Sequence, residues 1–429
     1  MQAQALPGFR EFYPEDAALR NHIFNVWRSV AARYGFEEYD GPPLEPLDLY
    51  TAKSGDEIVG QLYAFNDKGG RAITLRPEMT PPLARMVAAR AAGLKKPIRW
   101  FSIPQLFRYE RQQRGRLREH FQLNMDLIGE PGPLADAEII AAALDVMGVL
   151  GLAPGAVQAR VSDRRVLTAL LRHAGIDEVT RPAAFAAIDK IERDPRDVLA
   201  GRLIEAGCSA GVAEAVLRIG AIRGPAELQQ ALTAVPDGTA AAVDLLACMH
   251  ALEAMGFGDR AVIDLSIVRG LAYYTGVVFE LFDSARTLRA ICGGGRYDGL
   301  LGTLGAVDLP AVGFGMGDVV LSELVKAGGA VGAPEQRLDA FVVAVTPEDL
   351  DVVLALTHAL RDRGAAVEFS LRAQGVGKQL KLAAARGARR AVIVGPDERA
   401  AGTAVVKDLD NGTEDRVTLA QLQDGFFDT

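Results

Sequence analysis

Between residues 163 and 256 the chain turns rich in alanine and leucine, keeps a helical period and offers few strand-like runs. Strand character lies on both sides of that block, at 72–76, 99–108 and 121–129 ahead of it and at 261–268 and 275–283 behind it. Such a break leaves few architectures open, and we read 163–256 as a helical insertion into a strand-bearing domain. A chain of 429 residues is too long for one ordinary core, so two or three domains are expected. The core is assigned to 1–327, a Gly- and Pro-bearing linker (GGAVGAPEQR) to 328–337 and a further domain to 338–429. That tail alternates strands (FVVAV, AVEFS, RAVIVG, TAVVKDL) with helices at 349–362 and 376–386, which predicts a small α/β domain with a largely parallel sheet. Ile23, Val26, Trp27, Val30 and Tyr34 recur at three- and four-residue steps behind Pro14-Glu15-Asp16, predicting a helix over 15–34. Helices are also expected at 78–92, 133–152 and 318–327.

Hydrophobic residues make up 49% of the chain and charged residues 24%, a globular balance. No apolar run reaches about 18 residues, and the first residues lack a basic segment followed by an apolar one. Neither a membrane span nor a signal peptide is expected, and a cytoplasmic location is. Cys208, Cys248 and Cys292 are far apart with no CxxC, so they read as free buried thiols and no metal site is expected. A net charge of −8 argues against a surface coated for phosphate binding. Two basic stretches stand out all the same. Residues 108–118 carry five arginines against one glutamate, and 372–390 carry Arg372, Lys378, Lys381, Arg386, Arg389 and Arg390 with no acid.

Arg108 closes a strand and Arg116 lies in the loop that follows, an arrangement suited to clamping a polyphosphate through fixed guanidinium forks. Glu110 beside them can accept from a base amine; exposed salt bridges are the plainer reading. In IVRGLAYYTGVVFE (267–280), Arg269 and Gly270 mark a strand end or turn. Tyr273 and Tyr274 point to opposite sides if the segment is extended, and a pair of core tyrosines is the plainer reading. An arginine in so apolar a segment needs an anionic partner: a ligand, or a resident carboxylate such as Asp264 or Asp298. CGGGRYDGL (292–300) allows close backbone approach, and neither it nor GFGMG (313–317) fits a Walker or Rossmann spacing.

LRPEMT (75–80), FRYERQQRGRLREHFQLNMDLIG (107–129), IVRGLAYYTGVVFE, GGGRYDGL and PAVGFGMG, in this order, resemble histidyl-tRNA synthetases nearly end to end. The resemblance implies an α+β fold: a class II antiparallel-sheet catalytic core with a helical insertion, and a C-terminal α/β anticodon-binding-like domain. It implies a histidine–tRNA ligase, which makes histidyl-adenylate from L-histidine and ATP and transfers it to tRNA(His). Glu78, Thr80, Arg108, Gln122, Asp126, Arg269, Tyr273 and Tyr274 would then line the histidine pocket. Arg108, Glu110 and Arg116 would hold ATP, with Mg2+, and Arg108 and Arg269 would be catalytic. Pro42 matches the proline of the class II dimer-interface motif, implying a homodimer, and 372–390 would contact tRNA phosphates.

Two positions depart from the family pattern. Ala272 stands where Asp is usual. Val320 stands where the third class II motif ends in an arginine that grips the γ-phosphate, and Arg114 or Arg286 is a candidate substitute. Other readings are an inactive paralogue, such as the histidine-sensing regulatory subunit of ATP phosphoribosyltransferase, and a tRNA-binding protein without catalysis. Arg108, Arg116, Arg269 and the complete tail favour the enzyme.

Overall fold

The computed structural model describes residues 4–51, 59–110, 115, 117–236, 238–269, 273–305, 307–327 and 337–424. It divides into two compact units, Met1–Ala333 and Pro334–Thr429. Twelve described strands belong to the first: β1 Glu37–Glu38, β2 Leu44–Pro46, β3 Tyr63–Asn66, β4 Ala72–Leu75, β5 Ile98–Ser102, β6 Gln105–Phe107, β7 Glu119–Ile128, β8 Val157–Asp163, β9 Ala261–Ile263, β10 Val277–Asp283, β11 Cys292–Arg296 and β12 Ala311–Gly317. Nine form one sheet in the order β1-β5-β7-β12-β11-β10-β8-β9, with β6 also on β7. Its pairings are antiparallel except at the two outer edges, where β1 runs parallel to β5 and β9 to β8. Strands β2, β4 and β3 form a separate small sheet.

The stretch expected as one strand at 99–108 is two. Ile103 and Pro104 part β5 from β6, which pair with successive halves of β7, at Asn124–Ile128 and Glu119–Phe121. Proline has no N–H to give to a ladder. The three glycines of CGGGR, read as a place of close approach, form a central strand. A Cβ on Gly294 would lie 2.3 Å from the Gly313 carbonyl oxygen, so only glycine lets β11 sit so tightly against β12.

The insertion leaves the sheet after β8 and returns as β9 alongside it. Its described helices run Arg164–His173, Arg181–Asp189, Arg196–Glu205, Ala210–Gly220, Gly224–Thr233 and Gly238–Ala254. Helix Pro133–Val149 is apolar on nearly every side because it is covered on every side: it packs on helices Pro14–Arg33 and Gly238–Ala254 and on β12. Its one buried charge, Asp136, takes Arg296 of β11 at 2.8 Å, both side chains being about 3% exposed or less. Arg296 also donates to the Glu130 and Gly132 carbonyls, which ties the helix start to the centre of the sheet. Removing one partner strands a buried charge, so Asp136→Ala is expected to cost about 3–5 kcal/mol in chemical denaturation.

The second unit is a five-stranded sheet, β13 Ala340–Ala344, β14 Val367–Phe369, β15 Arg390–Val394, β16 Thr403–Asp408 and β17 Glu414–Thr418, ordered β14-β13-β15-β16-β17. The expected parallel sheet is found only in β14-β13-β15, while β16 and β17 are antiparallel. Only the short helix Pro396–Ala401 separates β15 from β16, too little chain for a parallel crossover. The sequence reading had no β17, because EDRVT buries only Val417.

Candidate active site

Side chains of a strand alternate between faces. On β7, Leu123, Met125 and Leu127 enter the main core, which leaves Gln122, Asn124 and Asp126 on the other face. Neighbouring β12 places glycines there. A Cβ on Gly313 would lie 2.1 Å from an Asp126 oxygen, and one on Gly315 2.7 Å from the Gln122 carboxamide. On β11, a Cβ on Gly293 would lie 2.4 Å from Arg269. The glycines of GGGR and GFGMG are thus the space that Asp126, Gln122 and Arg269 occupy.

Asp126 is buried and accepts a hydrogen bond from the Tyr297 hydroxyl at 2.5 Å. Burial pushes its carboxyl up to about 7, against the pull of Tyr297. The Tyr297 ring is edge-on to Tyr273 at 6.0 Å, and Tyr273 lies 5.0 Å from Tyr274. Tyr297 was missed as a site residue, although its motif, GGGRYDGL, had been singled out. Tyr273 and Tyr274 lie outside any strand. Both turn into one apolar cluster; opposite sides were expected only of an extended segment, which this is not. Tyr273 lies near Thr80, and Tyr274 lies near Arg269, whose positive charge opposes the rise that burial gives the Tyr274 hydroxyl. Glu78, 6% exposed, lies near both rings. Arg108 donates from Nε to the Pro77 carbonyl at 2.9 Å, fixing the turn that carries Glu78 and Thr80.

Arg269 has a backbone φ of 59°, a region that non-glycine residues seldom occupy. The Arg164 guanidinium steadies it by donating to the Val268 and Arg269 carbonyls at 3.1 and 3.2 Å. The Arg269 side chain reaches Glu280 of β10 at 2.5 Å. Burial opposes its charge, but Tyr274 and Glu280 outweigh burial and hold it protonated. Neither carboxylate considered from the sequence is the partner. Asp264 engages Arg160 and Arg223, and Asp298 engages Arg296. The Arg269 Nε is buried with no hydrogen-bond partner among the described residues. Gly270 and Ala272 lie outside the described residues.

Glu110 is described to the edge of the arginine loop; Arg116 and Arg114 lie outside the described residues. Burial, then Arg108 and Arg10, push His120 down to about 3, so its ring is neutral beside Arg108. Val320 lies against this loop: a Cβ on Gly115 would be 3.3 Å from Val320 and 3.8 Å from the Arg289 side chain. Arg286, a candidate for the absent arginine's place, pairs with Glu192 of the insertion at 3.0 Å.

Residues 8–318 match the family described as histidyl-tRNA synthetase, and 339–426 match the anticodon binding domain. The chain belongs to the histidyl-tRNA synthetase family. It is 46% identical to the histidine–tRNA ligase of Opitutus terrae over 98% of this chain and 97% of that one. It is 40% identical to the chloroplastic/mitochondrial histidine–tRNA ligase of Arabidopsis thaliana, over 97% of this chain and 85% of that one. The solved histidyl-tRNA synthetase of Nostoc sp. superposes with a TM-score of 0.85 at 26% identity, covering 99% of both chains. A Bacillus halodurans structure described as an ATP phosphoribosyltransferase regulatory subunit/histidyl-tRNA synthetase shares the fold, with a TM-score of 0.77 at 22% identity over 92% of this chain and 99% of that one. Membership of the histidyl-tRNA synthetase family accounts for the α+β fold and for the tail domain behind the catalytic unit. No described helix is long and apolar enough to cross a membrane.

Proposed function

We propose that this chain is a histidine–tRNA ligase, and the observation that carries the reading is Arg269. A charged guanidinium is held at a strained backbone position with one buried donor unused, which suits a site where two anions meet. In the reaction the histidine carboxylate attacks the α-phosphorus of ATP, a P–O bond forms, and pyrophosphate leaves with the electron pair. Arg269 offsets the negative charge gathered between carboxylate and phosphate. Asp126 accepts from the imidazole N–H, positioned by Tyr297, and Glu78 accepts from the α-amino group. Gln122, Thr80, Tyr273 and Tyr274 shape the pocket around the ligand. Arg108, Glu110 and Arg116 take the nucleotide. The Arg289 side chain, beside Val320 and Gly115, takes the place of the absent third-motif arginine at the outer phosphates.

Among the described residues no group of three His, Cys, Asp or Glu is placed to hold a metal. Mg2+, where it accompanies the triphosphate, would offset the charge of the phosphate oxygens. The enzyme works in the cytoplasm as a homodimer. Exposed Leu44 and Phe65 on the small β2-β4-β3 sheet support self-association, which sedimentation tests. The regulatory-subunit reading has less support, since 339–426 match an anticodon binding domain.

The tail reads tRNA and not the amino acid. Of its basic stretch, Arg386 is bonded to Glu368, and exposed Arg372, Lys378 and Lys381 are the residues proposed to carry the contacts. A chain ending near residue 328 is expected to keep histidine-dependent pyrophosphate exchange while its charging of tRNA falls at least tenfold. Unchanged tRNA affinity after truncation would assign the tail another task.

A further inference from the structure

Arg10, in the stretch GFREFYP, is committed to two buried carboxylates from distant parts of the chain. Glu119 opens β7 and Asp318 opens helix Asp318–Ala327, and each is 1% exposed. Arg10 donates from Nε to Glu119 at 2.6 Å and from Nη1 to Asp318 at 2.8 Å, while its Nη2 lies 3.3 Å from the first and 3.4 Å from the second. All three guanidinium nitrogens are thus occupied, which leaves Arg10 no fork for a substrate. Asp318 also accepts from the Phe121 N–H at 2.9 Å, and Glu119 from Gln105 of β6 at 3.0 Å. Burial opposes the charge of Arg10, but Glu119 and Asp318 outweigh it and hold it protonated. Removing Arg10 would leave two buried, mutually repelling carboxylates without their shared cation, a costly arrangement.

The clamp grips the root of the arginine loop. Glu119 pairs with Phe107 across β6 and β7, and the Arg108 N–H donates to the Arg118 carbonyl at 3.0 Å, so the two limbs of the loop leave from this point. Residues 8–12 lie over the same root: the Arg118 N–H donates to the Gly8 carbonyl at 3.0 Å, Phe9 packs on Phe107, and Phe12 packs edge-on to Phe121. Helix Asp318–Ala327 carries Val320, which stands 3.3 Å from where a Cβ on Gly115 would be. Where the family pattern brings an arginine, this helix brings an apolar side chain, and its tie to the loop's root runs through Asp318 and Arg10. We propose that Arg10 is a positioning residue for the nucleotide: by binding Glu119 to Asp318 it sets the root of the arginine loop against this helix, and so fixes Arg108 and Glu110 at the spacing that ATP needs. The proposal rests on the ligase reading for the nucleotide, and on the two ion pairs for the geometry. A misplacement of about 1 Å in a positioned group is enough to be read in kinetics.

The test uses the full chain with Arg10→Gln, Arg10→Lys and the double variant Arg10→Lys with Asp318→Asn. Pyrophosphate exchange is measured against ATP and against histidine in turn, with the melting temperature of each variant. Arg10→Gln is expected to raise KM for ATP about tenfold and to leave KM for histidine within about twofold. Lysine lacks the fork that serves two carboxylates at once, so Arg10→Lys should fall between Gln and the parent. The double variant leaves one carboxylate for one ammonium and keeps an oxygen for the Phe121 N–H, and should recover most of the affinity for ATP. Should Arg10→Gln fail to fold, the same split is read in Arg10→Lys against the double variant. If both KM values stay at the parent's and the rate falls only with the folded fraction, Arg10 holds the fold and does not position the nucleotide. An equal rise in both KM values would overturn the proposal as well. A parent without exchange would count against the ligase reading; ATP binding by calorimetry then decides the clamp, weaker binding in Arg10→Gln supporting it and equal binding overturning it.

Discussion

Replacing Arg269 by lysine is expected to slow histidine-dependent pyrophosphate exchange by about 10²–10³-fold, the usual consequence of losing one preorganised donor, with little change in melting temperature. Lysine keeps a positive charge and can still reach Glu280, but it lacks the planar fork that can serve Glu280 and a ligand at once. If the arginine were only half of a buried ion pair, the variant would instead lose stability, and activity would fall in proportion to the folded fraction. Measuring both quantities on one preparation separates the two cases. Glu280→Gln is the companion: it leaves the guanidinium in place without its countercharge, and is expected to disturb KM for histidine less than kcat.

The second large effect belongs to Asp126. Asp126→Asn is expected to weaken histidine binding by about 10–100-fold, from the loss of a charge-assisted hydrogen bond. Gly313→Ala should do the same without touching the carboxylate, because its Cβ would intrude to 2.1 Å of Asp126. The pH dependence has a definite sign. The folded, ligand-free protein holds the Asp126 carboxyl up at about 7, well above its unfolded value near about 3.9. Its contribution to stability is therefore full below the unfolded value and is lost as pH rises through about 7. Asp136, pushed up to about 6 by burial, acts in the same direction. The diagnostic is thus the difference between parent and Asp126→Asn, which should widen to the parent's disadvantage as pH rises to about 7 in the absence of ligand. Histidine binding should run the opposite way. Only ionised Asp126 is a full acceptor, so the ratio of parent to variant affinity should rise through about pH 7, with the ligand's own titration cancelling. A ratio independent of pH would remove Asp126 from the imidazole contact.

Much of this was legible in the chain, and the misses have physical causes. The helical insertion stood out because nearly a hundred residues hold one period, and β8 and β9 do lie side by side at its two ends. Strand β7 was legible because apolar Leu123, Met125 and Leu127 alternate with polar Gln122, Asn124 and Asp126. The candidate site residues were gathered by motif order; of the described ones, Glu78 lies near Tyr273 and Tyr274, and Arg269 lies near Tyr274 and reaches Glu280. Partner choice was not legible. Glu280 faces Gly293 across the β10–β11 ladder, and Arg269 reaches it only because Gly293 has no side chain, a matter of register that spacing cannot reveal. Tyr297 was passed over for a related reason: the glycines ahead of it drew attention to backbone, while the side chain that meets Asp126 lies 171 residues away in sequence from that partner. The charged β17 escaped because only its pairing with β16 makes it a strand.

The central claim is that Arg269, Asp126 and their neighbours activate histidine. It is tested most directly by histidine-dependent exchange of labelled pyrophosphate into ATP with the full chain and Mg2+. The account predicts exchange that requires L-histidine, is absent with other amino acids, and survives removal of the tail. Histidine binding without exchange, at every magnesium concentration and with tRNA present, would contradict it: the chain would then sense histidine without activating it, and Val320 would mark the loss of the nucleotide grip.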